Sequence, residues 1–237
     1  MRILITLLIL PLFAIAQPKE TPRKNFSIGL SFAPAITYRA LKYSETQQWI
    51  ADQRNDEEVA KLGFTAGVNL FFQLNKRLTF ETGLQYANRG EKKKKQDLVW
   101  ETKEPSFPES AIVTASYQFI DIPLKVNYLL LPERKLKYYV SAGFVNSIFL
   151  RKKTAVESIY SDGDKKKDVS YDKLGYAPVC FFMYLGVGAE YNISRRLSAR
   201  IEPGYVRSLN SIVHDENAKA FLYAFQLNAG VRYSFFK

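Results

Sequence analysis

The chain has 237 residues, with 34 Lys and Arg against 23 Asp and Glu, a formal charge of +11, and one cysteine. A single cysteine excludes an intrachain disulfide and a cysteine metal cluster, and 17 Phe with 15 Tyr exclude a disordered chain, which would be poor in aromatics. The positive runs, Lys92–Lys95 and Lys165–Lys167, fall between strand-like segments with acids close by, so they read as solvated loops or as surfaces meeting phosphate-rich headgroups rather than as a nucleic-acid site.

The first element is an export signal. Arg2 precedes an apolar run, Ile3–Ile15, and Ala14-Ile15-Ala16 sets small residues where a signal peptidase reads them. Residues 1–16 are thus expected to be a signal peptide, cleaved before Gln17. The run is short for a spanning helix, which needs about 20 residues. Residues 17–25 form a polar tail, and residues 26–237 one barrel domain.

From Phe26 onward the chain repeats a unit in which apolar side chains alternate with polar or small ones. Strands are expected at Phe26–Tyr38, Leu62–Leu74, Leu78–Arg89, Ala115–Leu130, Leu136–Leu150, Val179–Ile193, Leu197–Ser208 and Phe221–Phe236. In the second, Phe64, Ala66, Val68, Leu70 and Phe72 oppose Thr65, Gly67 and Asn69. In the last, Phe225, Leu227, Ala229, Val231 and Tyr233 oppose Gln226, Asn228, Gly230, Arg232 and Ser234. A period of two marks strands with one apolar and one polar face. A soluble sandwich shares that period, but three features favour a membrane. The strands reach the 9–11 residues that span a bilayer. Their apolar faces end in aromatics such as Phe72, Tyr86, Tyr128, Tyr138, Tyr191, Tyr205 and Tyr233, like interfacial girdles. The connections alternate: short turns at Asn75–Arg77, Pro132–Lys135 and Ser194–Arg196, and long polar loops at Arg39–Lys61, Gly90–Thr114, Arg151–Pro178 and Leu209–Ala220. The fold expected is all-β, an eight-stranded antiparallel transmembrane β-barrel with up-and-down meander topology. It lies in a bacterial outer membrane with both termini periplasmic.

Such a barrel is about wide enough for its own side chains. Glu81, Asp121, Glu190 and Glu202 then face Lys125, Arg200 and Arg232 inside, and buried charges must be paired. An internal ion-pair network is expected, with Gly67, Gly83, Gly143, Gly186, Gly188, Gly204 and Gly230 relieving crowding. Pro123 and Pro203 sit within strands and imply local bulges.

Sites of chemistry are sparse. His214, beside Asp215 and Glu216, is a lone histidine and reads as a loop residue, although it could serve Ser208 or Ser211 as a base. Glu190 and Glu202 could form an acid/base pair, but a filled interior accounts for both. No catalytic, cofactor-binding or metal-ligating residues are assigned. Trp49 and Trp100 lie in the long loops, where they could anchor a partner, touch the lipid interface or pack locally. Tyr160, Tyr171 and Lys165–Lys167 make the third long loop the next candidate contact surface. Cys180 is expected to be inward and inert.

The stretch Phe119-Ile120-Asp121-Ile122-Pro123-Leu124-Lys125-Val126-Asn127-Tyr128, the Gly-rich strand Tyr184–Tyr191, the final strand Leu227–Phe236 and the signal peptide resemble the outer-membrane β-barrel family abundant in Bacteroidota, with PorT-like relatives. The resemblance implies outer-membrane insertion, envelope upkeep and, for PorT-like members, help with type IX secretion or gliding. It supplies no catalytic residues, and it makes the position of Pro123 a tolerated strand feature. The ending Phe236-Lys237 departs by one residue from the terminal aromatic of assembly signals. The functional expectation is a non-enzymatic structural, envelope-maintenance or secretion-accessory barrel; the alternative is a narrow channel or transporter for small solutes. Expected partners are outer-membrane lipid, including lipopolysaccharide, and an envelope or secretion protein at the long loops. No cofactor and no nucleic acid are expected, and the barrel is taken as monomeric.

Overall fold

The computed structural model describes residues 26–44, 48–102, 104, 106–130, 135–215 and 217–235. The expected signal peptide, the polar tail, most of the second short turn and Phe236-Lys237 lie outside the described residues. The elements run β1 (Phe26–Tyr43), α1 (Gln48–Glu57), β2 (Glu58–Gln73), β3 (Leu78–Lys93), β4 (Gln96–Asp97), β5 (Ser110–Leu129), β6 (Leu136–Ile159), β7 (Lys165–Asp172), β8 (Val179–Asn192), β9 (Leu197–Ser208) and β10 (Ala218–Ser234).

Eight of these strands close a ring in the order β1-β2-β3-β5-β6-β8-β9-β10. Antiparallel pairing of β1 with β10, from Ser27↔Ser234 to Tyr43↔Ala218, shuts it. Apart from the closing β1–β10 pair, each ring strand neighbours the next ring strand along the chain, so the topology is an up-and-down meander, and closure leaves the ring without a free edge. The two short strands lie outside it: β4 pairs with β5, and β7 with β6.

The period of two translates into inside and outside as expected. On β5, Asp121 and Lys125 are 1% and 2% exposed, while Leu124 and Val126 are each 40% exposed. The outward residues form an apolar belt about five side chains tall on each strand. Its short-turn end carries a chain of rings: Phe26 lies 5.6 Å from Phe235 and 5.3 Å from Phe72, which lies 6.4 Å from Phe80. Near its other end Phe64 contacts Tyr86 at 5.8 Å and Tyr205 contacts Phe225 at 4.9 Å. Two short turns are closed by side chains that replace missing backbone partners. The Asn75 carboxamide oxygen accepts from the Arg77 and Leu78 amides, and the Ser194 hydroxyl oxygen accepts from the Arg196 and Leu197 amides.

Three expectations need correction. No bulge accompanies Pro123 or Pro203. The β3–β5 pairing runs from Glu81↔Lys125 to Gln85↔Asp121 in one register, with the ladder open around Pro123. The β8–β9 pairing likewise keeps register across Pro203. Each proline lacks one N–H, so one ladder opens locally while the other neighbour stays paired. The bulges lie elsewhere, between Ala60 and Phe64 on β2 and at Leu150 on β6, opposite Gln118/Phe119, near the long-loop edge of the belt.

The long connections are also less loop-like than expected. β1, β2, β3, β5 and β6 continue past the belt, α1 occupies the first connection, and the β6–β7 hairpin builds a wall from the third. The lysine runs are therefore only partly loops: Lys92 and Lys93 end β3, Lys94 and Lys95 connect it to β4, and Lys165–Lys167 begin β7. Finally, the interior is not wholly polar, as the next section describes.

Candidate functional site: the barrel interior and its long-loop mouth

Inward-facing side chains of the ring strands form three tiers. The first, toward the short-turn end, holds six charges. Lys125 Nζ lies 2.9 Å from Glu81 and 3.4 Å from Glu202. Arg200 reaches Glu81 at 3.3 Å, Glu202 at 3.5 Å and Glu190 at 3.6 Å, while Arg232 reaches Glu190 at 3.1 Å. Three acids face three bases, so the tier is neutral. Neutral donors complete it: Asn127 donates to Glu81 at 2.9 Å, Ser141 donates to Glu202 at 3.3 Å, and the Tyr184 hydroxyl donates to Glu202. The cations also lie over rings. Arg200 is 4.6 Å from the centroids of both Phe71 and Tyr139, and Lys125 is 4.4 Å from Tyr184.

Glycines make room for those rings. A Cβ at Gly188 would sit 2.4 Å from the Tyr139 ring, and one at Gly204 would sit 2.4 Å from the Tyr184 hydroxyl. The void left among Gly29, Asn69, Tyr139, Arg200 and Asn228 is about 10 Å³, roughly room for one water.

The second tier is a salt bridge under an apolar plug. Arg89 meets Asp121 through two contacts, 2.5 and 3.3 Å, and Ser147 donates to Asp121 at 2.6 Å. The Arg89 guanidinium lies 4.7 Å from the Phe182 ring. Beyond it Tyr117, Phe119, Phe182, Val206, Ile212 and Leu222 are buried together, with Phe149 and Tyr176 against them. Two connections close the plug, since Ala177 N donates to Ile212 O at 3.0 Å and Ile212 N to Ala220 O at 2.9 Å.

The third tier lies beyond the belt. Arg39 forms a two-pronged pair with Glu58, with Nε 3.2 Å from Glu58 Oε2. The same Nε lies 3.3 Å from Glu91, and the Tyr117 hydroxyl donates to Glu91 at 3.2 Å. Glu91 shares its arginine with another acid. Burial pushes its carboxyl up to about 7; Arg39 opposes this and Glu58 adds to it.

Of the seven charges expected inside, the structure gathers Glu81, Lys125, Glu190, Arg200, Glu202 and Arg232. It sets Asp121 apart, on Arg89. Glu190 and Glu202 are tied together through Arg200, which holds them as ion-pair partners. His214 is exposed, and its amide donates to Gly175 O at 2.9 Å. Ser208 and Ser211 accept backbone amides of Leu222 and Ala220. Trp100 packs locally: its indole donates to Pro108 O at 2.7 Å and its ring lies 5.0 Å from Phe107. Trp49, on α1, is exposed. Cys180 is inward and fully buried. Among the described residues no group of three or more His, Cys, Asp or Glu is placed to hold a metal ion. The plug and the Arg39–Glu58–Glu91 cluster have no counterpart in the sequence reading. The available signal was Phe119, an aromatic on the same parity as Asp121.

The exterior belt, the closed ring and the neutral centre describe a membrane barrel, and residues 15–214 match the family described as the outer membrane protein beta-barrel domain. The chain belongs to this family. It is a bacterial outer-membrane barrel, and the belt's surroundings are lipid hydrocarbon. Among solved structures it is similar to Neisserial surface protein A, at 16% identity and TM-score 0.44 over 89% of this chain and 97% of that one. OprG from Pseudomonas aeruginosa gives 10% and 0.46 over 90% and 97%. The outer membrane protease OmpT from Escherichia coli gives 13% and 0.45 over 91% and 98%. No curated protein matches the sequence.

Proposed function

We propose that this outer-membrane barrel is non-enzymatic and serves a structural, envelope-maintenance or secretion-accessory role through surfaces at its long-loop end. One observation supports the reading most strongly: the middle of the interior is occupied by packed side chains. Between an end cavity of about 220 Å³ beside Glu190 and Arg232 and one of about 210 Å³ beside Arg39 and Glu91, the neutral six-charge cluster and the apolar plug leave about 10 Å³ of void next to Arg200 and Asn228. A solute would have to displace both. The test is conductance in planar bilayers. A closed bilayer current across the physiological voltage range is expected, and stepwise, reproducible openings would overturn the reading in favour of a narrow channel.

In this reading the short turns and both termini are periplasmic, and the long connections face outward. Residues 1–16 are removed on export, leaving Gln17 as the first residue, which N-terminal sequencing of the membrane-bound protein checks. The barrel works as a monomer in a lipid environment that includes lipopolysaccharide. Exposed Trp49 and the β6–β7 hairpin offer outward surfaces for an envelope or secretion protein. Within the family we infer kinship with PorT-like barrels of Bacteroidota, carried by the Phe119–Tyr128 stretch. A chromosomal deletion that leaves type IX secretion and gliding intact would refute that finer placement.

A further inference from the structure

Past the belt, the wall built from β2, β3, β5, β6 and β7 has one face of mixed charge and one with an excess of cations. Pairing sets the faces residue by residue. Ser116↔Lys153, Ala155↔Val169 and Glu157↔Lys167 continue the outward parity of the belt, whereas Tyr117↔Lys152, Thr154↔Ser170 and Val156↔Asp168 continue the inward parity. The inward face mixes both signs, with Glu58, Glu91, Asp168 and Asp172 against Lys93, Lys152 and Lys166. The outward face gathers cations: Lys92, Arg151, Lys153, Lys165 and Lys167 by pairing, and Lys61, in the β2 bulge, whose ammonium reaches Asn88 and Ser116 on that face. Opposing them on that face are Glu157 and, at the distal end on β4, Asp97.

This cationic face is built rather than scattered. Lys61 Nζ donates to Asn88 Oδ1 and Ser116 Oγ, both at 2.7 Å. Arg151 Nε donates to Gln118 Oε1 at 2.7 Å, and its guanidinium lies 4.5 Å from the Tyr171 ring. A groove of about 250 Å³ is lined by Asn88, Lys92, Ser116, Gln118, Lys153 and Lys167 together with one acid, Glu157, and Lys61 and Arg151 flank it through their bonds to Asn88, Ser116 and Gln118. Burial depresses the Lys61 ammonium to about 8; Glu91 opposes the shift and Lys153 adds to it. A poorly hydrated cation beside a second cation favours an incoming anion.

Position selects the anion's source. Asn88 and Gln118 lie two residues beyond Tyr86 and Ile120, the last belt residues on β3 and β5. That is about 7 Å along a strand, the depth of a headgroup. The groove opens sideways, on the same face that meets hydrocarbon below, and away from the mouth where a soluble partner would dock.

We propose that this lateral groove is a binding site for the phosphate of a phosphorylated lipid headgroup in the surrounding leaflet, held by Lys61, Arg151 and Lys153 with the acyl chains lying down the belt beneath Tyr86. The inference rests on the belt being in lipid. Outward orientation of the long loops then makes the leaflet the outer one.

The full mature barrel is reconstituted in phosphatidylcholine nanodiscs doped with diphosphoryl lipid A or with its dephosphorylated form, and lipid retained on the extracted protein is counted by native mass spectrometry. The diphosphoryl form is expected to be retained selectively. Each lysine or arginine near an anionic surface strengthens attachment by about fivefold, so K61Q/R151Q/K153Q should lose well over tenfold. The control K42Q/K166Q/K219Q removes equal charge elsewhere and should retain lipid like wild type. Heat-modifiable gel mobility confirms that each variant is folded, and K153Q alone serves if the triple variant is not. Equal retention of the two lipids, equal loss in the control, or displacement by millimolar inorganic phosphate would overturn the proposal. A wrong orientation in the cell leaves this measurement untouched and appears instead in protease accessibility of the loops.

Discussion

Substituting Lys125 by Met tests the neutral centre most sharply. Lys125 is 2% exposed and links Glu81 at 2.9 Å with Glu202 at 3.4 Å. Its ammonium also faces the Tyr184 ring at 4.4 Å. Methionine keeps most of the volume, so little cavity forms. The cost comes from leaving three acids against two bases in a space without room for hydration. Breaking a buried pair by removing one partner costs about 3–5 kcal/mol. The double variant E81Q/K125M restores balance, with Glu190 and Glu202 facing Arg200 and Arg232. It should be less destabilised than the sum of the singles by about 2 kcal/mol, within the usual range for contacting residues. Urea unfolding in lipid vesicles, followed by far-ultraviolet circular dichroism, measures all four corners of the cycle. A K125M cost under about 1 kcal/mol, or strict additivity, would refute the reasoning.

Three further outcomes follow from the same geometry. G188A should lower the urea midpoint, because its Cβ would meet the Tyr139 ring at 2.4 Å, whereas Ala at solvent-exposed Gly163 meets nothing within 4 Å and is strained only by its φ of +86°. Glu91 is held at about 7 by burial, above the ordinary value of about 4.3, so the folded mouth binds this proton more tightly than the unfolded chain does. The stabilisation is therefore full below about pH 4.3 and is lost as pH rises through 7. Amide exchange on α1 and the start of β2 should quicken over that window, beyond the intrinsic rate increase, and E91Q should flatten the excess while Arg39, Glu58, Tyr117 and Lys152 remain. Cys180 is fully buried, so maleimide should label it in urea and not in the folded barrel; rapid labelling of the folded form would show that the plug opens.

The strands were legible because lipid outside and packing inside impose opposite demands on successive residues. Leu124 and Lys125 cannot exchange places without exposing a charge to hydrocarbon. The six-charge cluster was legible for the same reason: Glu81, Lys125 and Arg232 all fall on the parity opposite to an apolar face. Beyond the belt that contrast ends, since water bathes the outside and part of the mouth. Arg39, Glu58 and Glu91 there looked like ordinary loop polarity. Phe71 sat unnoticed beside Phe72, since adjacent apolar residues hide which one turns inward. Ile212 was invisible because no periodicity governs a connection that folds back into the barrel. The prolines misled in a narrower way, since a strand paired on both sides can open one ladder and keep register through the other.

The central claim is that lipid meets one parity of every ring strand and the packed interior the other. Spin labels placed singly along β10 at Ala224 through Val231, in a C180S background reconstituted in liposomes, test it directly through collision with oxygen and with a soluble nickel chelate. Labels at Phe225, Leu227, Ala229 and Val231 should collide with oxygen and not with nickel, while those at Ala224, Gln226 and Asn228 should be shielded from both. Nickel contact at the odd-numbered positions, or an accessibility profile without the two-residue alternation, would contradict the account.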